Sequence, residues 1–442
     1  MSPHLNRRRL LQLGALAAVP SVLAGCGSGA GRSGSGDTGA VKFQGWDFES
    51  QLVQQNVDRF VDKAGIKVDY TPITSAQYVQ KVTAQFTGGT EPDALYVYDD
   101  SLAAWIGAEY LQPIDDMPDL DKVYDAIYPG NAETMTYDGK RYGLPYYTDS
   151  MALTYNVELL AKAGIKEPPK SLEEWEAQAK TLQDKGILEH PIGLSAQLSD
   201  TWWAWWWGLV FASGGTLFDD KMAPTMATTD PVSKDVYAWM QQAATKSKVI
   251  DPASTTLLPI PLDNAFMAGK YAYILAARYG SRKYNDPKAS KVAGKVKMAL
   301  PPSIDGATEG TVSNTRMYCL SKNTEKKDDA YKLIYYLGGF DENDDPYTAR
   351  FWFEQQGLGF AFKDLANDAK IKEQLTKWAD PAVYAHLAEV AKPRRVIAEP
   401  WYTEYEIETQ KVIQQVLTGQ SDPVAAVQKM ADTAAALKKQ YS

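Results

Sequence analysis

The chain has little of what would stabilise or equip a small secreted enzyme. It carries two cysteines and three histidines in 442 residues. One cysteine, Cys26, falls at the end of a processing segment, so only Cys319 remains as a thiol and no intramolecular disulfide is available. Stability must therefore come from packing. His190 and His386 are the histidines beyond the leader, and neither has a companion at metal-ligand or nucleophile–base spacing. No metal and no cofactor is expected. Block-like runs of lysine and arginine are also missing, and the formal net charge is −9, which argues against nucleic acid as a partner. No apolar run is long enough to span a bilayer. The longest, Leu10 to Leu23, is 14 residues against the roughly 20 that a spanning helix needs.

That run belongs to a leader. Arg7-Arg8-Arg9 supplies a basic start, and Leu23-Ala24-Gly25-Cys26 supplies a cleavage pattern like a bacterial lipobox, in which the thiol is diacylated and Cys26 becomes the first residue. Arg7 to Leu11 looks like a twin-arginine signal with an incomplete consensus, so the general secretion route stays open. Loss of residues 1–25 removes three arginines and no acid, which takes the net charge from −9 to −12. Residues 26–39, dominated by Gly and Ser, then read as a flexible tether to the outer face of the cell membrane.

From Ala40 onward, short β-type runs alternate with helical patterns, as in Val41-Lys42-Phe43, Leu52 to Val61, and Lys67 to Tyr70. This is the pattern of an α/β fold with βαβ units. Asp93 to Tyr98 reads as a buried strand running into Asp99-Asp100, and ligands collect at the carboxyl ends of strands in open α/β sheets. Ser171 and Glu174 have capping-box spacing ahead of Leu172, Trp175, Ala179 and Leu182, which predicts a helix. A closing helix is predicted from Asp422-Pro423, with Val427, Met430, Ala431, Ala434 and Leu437 as its stripe.

Asp138 to Tyr146 followed by Leu153 to Leu160, together with Gly214-Gly215 and Ala265 to Ala272, resembles the family 1 extracellular solute-binding proteins of ABC importers, of which maltose-binding protein is the familiar member. The resemblance resumes at Ser321 to Leu337 and Leu417 to Ala426. It implies a two-lobe, periplasmic-binding-protein-like fold of type II, each lobe a mostly parallel sheet flanked by helices and hinged at a ligand cleft. Matching blocks places 40–147 and 312–363 in the first lobe, and 148–311 and 364–442 in the second. The implied function is non-enzymatic: a monomeric lipoprotein binds a sugar-like solute by hydrogen bonds and aromatic stacking, then delivers it to permease subunits.

A sugar offers hydroxyls that need donors and acceptors and C–H faces that favour flat rings. Carried over by position, the resemblance implies Asp47, Asp100 and Asp149 as acceptors, with Trp46, Glu49 and Tyr147 as their neighbours. It also points to Trp202 and Trp203 as stacking residues in the densest aromatic run, where a tryptophan replaces an acid of the maltose-type pattern. Within that run, helical spacing puts Trp203, Trp206, Trp207 and Val210 on one face, toward the core. Tyr279 matches another stacking aromatic, and Arg278 beside it is a departure that leaves an anionic or amino-sugar ligand open. Trp401 and Tyr402 match the last aromatic position with a slip of several residues. Two other readings fit the same inventory: a secreted glycoside hydrolase using paired carboxylates, and a sensory surface lipoprotein with no importer.

Overall fold

The computed structural model describes residues 39–198, 205–230 and 232–441. Cys26, Trp202 and Trp203 lie outside them. The predicted alternation is present: strands Val41–Trp46, Val68–Ile73 and Ala94–Tyr98 pair in parallel, separated by helices Ser50–Ala64 and Tyr78–Gly88. The strand Ala94–Tyr98 is buried over its first four residues, as expected where helices cover both faces of a parallel sheet. Helix Ser50–Ala64 turns Val53, Val57 and Phe60 to the core, one stripe at helical spacing.

Two long strands join the halves of the molecule. Gly143–Asn156 and Thr311–Leu320 run antiparallel to each other in the middle of a nine-stranded sheet. Fourteen residues at about 3.3 Å each reach about 46 Å, enough to cross from one core to another. They do cross. Leu144, Tyr146, Met317 and Leu320 belong to one apolar core, whereas Met151, Leu153 and Val312 belong to a second. Beyond them, Tyr273–Ala277 and Ile192–Gly193 continue the sheet, the latter pair in parallel. The fold is mixed α/β with two lobes.

The first core also contains Ile371, Leu375, Trp378, Tyr384 and Leu387. Helices Ala369–Thr376 and Pro381–Glu389 therefore pack with residues 40–147, although matching of sequence blocks put them with the other half. The chain returns only at Ala391–Lys392, which pairs with Thr311–Val312, and Val396, Trp401 and Tyr405 then enter the second core. Both helices are apolar on one side, so their periodicity alone fits either lobe.

The predicted helix starts are present. Ser171 accepts from the Glu174 amide at 3.1 Å while the Glu174 carboxylate reaches back, a complete capping box. Asp422 accepts from the amides of Val424 and Ala425 ahead of helix Pro423–Tyr441. Trp206, Trp207 and Val210 are core residues, as their spacing implies.

A third segment passes hard against the crossing strands at Gly359. A Cβ there would lie 2.0 Å from the Thr148 carbonyl oxygen and 2.8 Å from the Arg278 guanidinium. Backbone oxygen cannot swing away as a flexible side chain can. Gly359→Ala should lower stability by about 1–3 kcal/mol, the usual range for overpacking, read as a fall in the urea midpoint. An unchanged midpoint would mean that this contact is looser than described.

Candidate ligand-binding cleft

The carboxyl ends of the first-lobe strands deliver one wall. Trp46 ends its strand stacked on Tyr98, with ring centroids 4.3 Å apart and planes 13° from parallel. Tyr98 leads into helix Asp99–Gly107, whose first turn holds Asp99 and Asp100, where the helix dipole favours negative charge. Asp99 is buried and committed: it accepts from the Thr315 amide at 3.0 Å and is ion-paired with Arg316. Arg316 lies under the Tyr98 ring, 4.8 Å from its centroid, and stands opposite Tyr147 on the neighbouring crossing strand. Asp100 is different. It is open to water, and among the described residues its side-chain hydrogen bond is from the Ser101 hydroxyl at 3.3 Å. Its carboxyl is pushed up by enclosure among protein atoms and by neighbouring Asp99.

The second wall is built around Asp149. This residue is 3% exposed and accepts from the backbone amides of Ser150 at 2.7 Å, Arg278 at 3.0 Å and Tyr279 at 3.2 Å. Burial pushes its carboxyl up to about 6, against the pull of Arg278. Asp149 thus positions the loop after strand Tyr273–Ala277 rather than offering free lone pairs. Arg278, 1% exposed, is turned away from solvent as well: it donates to the Tyr384 carbonyl at 3.0 Å and lies 4.4 Å from that ring's centroid. The sequence places a ligand-facing arginine here; in the structure its guanidinium lies 3.4 Å from the buried Asp149 carboxylate and ties two segments together. Its neighbour Tyr279 projects instead, at 39% exposure. Tyr279 lines a cavity of about 30 Å³ with Asp263 and Trp205. Burial raises Asp263 to about 6 despite its 2.6 Å hydrogen bond from Tyr284.

A third group arrives with the last return of the chain. Arg394, 3% exposed, donates to the Tyr402 hydroxyl at 2.7 Å, and that hydroxyl donates to Glu406 at 2.7 Å. Burial raises the Glu406 carboxyl, partly offset by Arg394. The charges of Asp99 and Asp100 act on Arg394, and that of Asp100 acts on Tyr402 and Glu406, so this cluster faces the first wall. Acids from both lobes meet around two arginines.

Of the sequence candidates, Asp100, Tyr147, Tyr279 and Tyr402 belong to this connected set. Asp47 is at the surface and accepts from the amide and hydroxyl of Ser75, which pulls its carboxyl down. Glu49 is exposed at the start of helix Ser50–Ala64 with no side-chain cap. Trp401 is 1% exposed and packs on Phe218 and Tyr405, so it is a core residue and not a stacking platform. Sequence reasoning did not single out Arg316, Arg394, Glu406 or Asp263. Arg394 and Glu406 lie 12 residues apart and look like ordinary surface charges in the sequence; only their burial distinguishes them. Among the described residues no cluster of His, Cys, Asp or Glu is arranged to hold a metal ion, and no helix is long and apolar enough to cross a membrane.

The fold is thus two lobes joined by crossing strands, with acids, tyrosines and buried arginines of both lobes facing each other where they meet, the frame of a two-domain binding protein. Residues 49–344 match the family described as bacterial extracellular solute-binding protein, and the chain belongs to that family. A binding protein of Brucella abortus is 24% identical over 382 residues, 86% of this chain and 87% of the relative. The galactooligosaccharide-binding protein of Bacillus subtilis is 23% identical over 425 residues, covering 95% and 94% of the two chains. The maltose-bound MalE3 structure of T. maritima shares the fold with a TM-score of 0.75 at 20% identity, over 91% of this chain and 99% of that one. The family binds solutes rather than transforming them.

Proposed function

We propose that this chain captures a saccharide or polyol between its lobes and delivers it to the permease subunits of an ABC-type importer, as a monomer held to the outer face of the cell membrane by lipid on Cys26. The observation that carries the reading is the placement of Asp100 and Glu406. One comes from each lobe and the charges of both act on Arg394, with Tyr147 and Tyr279 as the candidate flat partners. Hydroxyl-rich ligands need that pairing of acceptors and rings. The names of two relatives agree in kind: one binds galactooligosaccharide and one structure holds maltose. Contacts drawn from both lobes are complete only when the cleft closes, so the ligand shifts the population toward the closed form. On this reading the lobe boundary falls near residue 390.

The test is a thermal-shift screen of the mature protein against neutral mono-, di- and oligosaccharides and polyols. A ligand at 100 times its dissociation constant adds about 2.7 kcal/mol and raises the melting temperature accordingly. A panel without any saturable shift would remove the proposal, and turnover of an oligosaccharide would replace it with a hydrolase.

A further inference from the structure

Tyr279 shares its cavity with one acid and no cation. Asp263, on helix Pro259–Met267, is the one charged residue among the described residues that line it. The Tyr284 hydroxyl donates to Oδ1 of Asp263 at 2.6 Å; among the described residues Oδ2 accepts no hydrogen bond, and Asp263 forms no ion pair. Exposed Lys283 pulls on the carboxyl without pairing with it. Arg278 is no counter-ion either, because Asp149 and the Tyr384 carbonyl hold it. The rest of the lining is apolar and aromatic, with Trp205 and Tyr284 buried and Tyr279 reaching solvent. The Trp205 N–H and the Tyr284 O–H are both committed, so neither offers a free donor to an anion. The charges of Asp263, Asp149 and Arg316 all act on Tyr279, which places this space at the second wall of the cleft.

We infer that this space is a subsite for a primary ammonium on a one-carbon arm, received by Oδ2 of Asp263 beside Tyr279. On the proposed function, the solute is then a saccharide or polyol that carries an amine at this end. Size fits the arm: the cavity is about 30 Å³, and a water needs about 10–15 Å³, so two heavy atoms fill it. Charge selects the cation. A carboxylate or phosphate would meet Asp263 with no cation in the lining to offset it, whereas an ammonium forms a charge-assisted hydrogen bond and is also favoured beside aromatic rings. A hydroxyl can donate to the same oxygen but leaves the acid unmatched. Burial holds the Asp263 carboxyl at about 6, so it is ionised at neutral pH and ready to pair.

Methylammonium, methanol and formate are the probes, titrated at constant ionic strength into the full mature protein while NMR follows the backbone amides of Tyr279 and Tyr284. At about pH 8 methylammonium should shift both amides saturably, with methanol at least about tenfold weaker, the difference between a charged and a neutral hydrogen bond. Formate should not saturate. Asp263→Asn should weaken methylammonium about tenfold or more. Wild-type protein at about pH 5, where the carboxyl is mostly protonated, should show a loss of similar size, which keeps the inference open to refutation even if the variant fails to fold. The inference is overturned if methylammonium does not saturate at these amides, if formate or methanol binds as well, or if neither the folded variant nor acid weakens the amine. Saccharide binding without methylammonium binding would remove this subsite and leave the proposed function standing; methylammonium binding with no saccharide or polyol bound would do the reverse.

Discussion

Asp149→Ala should destabilise the protein by about 3–5 kcal/mol, the cost of leaving a buried charge without its partner. The charge in question is Arg278, which is 1% exposed and cannot shed its proton. The same substitution frees three backbone amides that now donate to Asp149. Arg278→Met is expected to cost less, and its cost should depend on pH. It leaves the carboxyl, which burial already pushes up to about 6 and which can become neutral by taking a proton. The sign follows from linkage. An unfolded aspartate releases its proton near 3.9, so a native carboxyl that holds it to about pH 6 favours the folded state fully below the unfolded value. That contribution is lost as pH rises through about 6. Loss of Arg278 moves the native value further up, so the variant should be near wild type at pH 5 and clearly weaker at pH 8. Urea unfolding of both variants at the two pH values checks this; equal losses for the two would contradict the assigned pairing.

The second large effect belongs to the cleft. Asp100→Ala should weaken the cleft saccharide identified by the screen roughly 10- to 100-fold, since a hydrogen bond to a charged acceptor is worth about 1.5–3 kcal/mol. Glu406→Gln should act in the same direction from the opposite lobe. Enclosure raises both carboxyls, so wild-type affinity should fall on mild acidification as the acceptors protonate. Asp100→Asn should show less of that fall. Titration calorimetry at several pH values reads both effects, and an affinity indifferent to Asp100 would place the ligand elsewhere.

Tyr279 shows how a residue can be found from the sequence without its supports. Its match to a stacking aromatic places it in the loop after strand Tyr273–Ala277, where its side chain projects. The group that aims it is Asp149, 130 positions away, whose side chain accepts from its backbone amide. Arg278 shows the reverse case. In the sequence it stands next to a candidate aromatic and looks available, and only burial beside Tyr384 reveals that it is not. Trp205 falls between the two: it lies off the face that Trp206, Trp207 and Val210 share at helical spacing, yet it is buried with its indole N–H donating to the Ser195 carbonyl at 2.9 Å, at the edge of the Tyr279 cavity.

What the amino-acid sequence determined by itself is local: the alternation of strands and helices, the Ser171 capping box, the Asp422 helix start, and the family blocks that imply two lobes. Each depends on residues within a turn or two of one another, where periodicity and side-chain reach decide the outcome. Only the tertiary structure decided which charges are spent and which remain open. Asp99 is joined to Arg316 across 217 positions, Asp149 to Arg278 across 129, and helices 369–376 and 381–389 return to the first core. Those pairings follow from the register of the crossing strands, so no local pattern separates the committed Asp99 from the open Asp100 beside it.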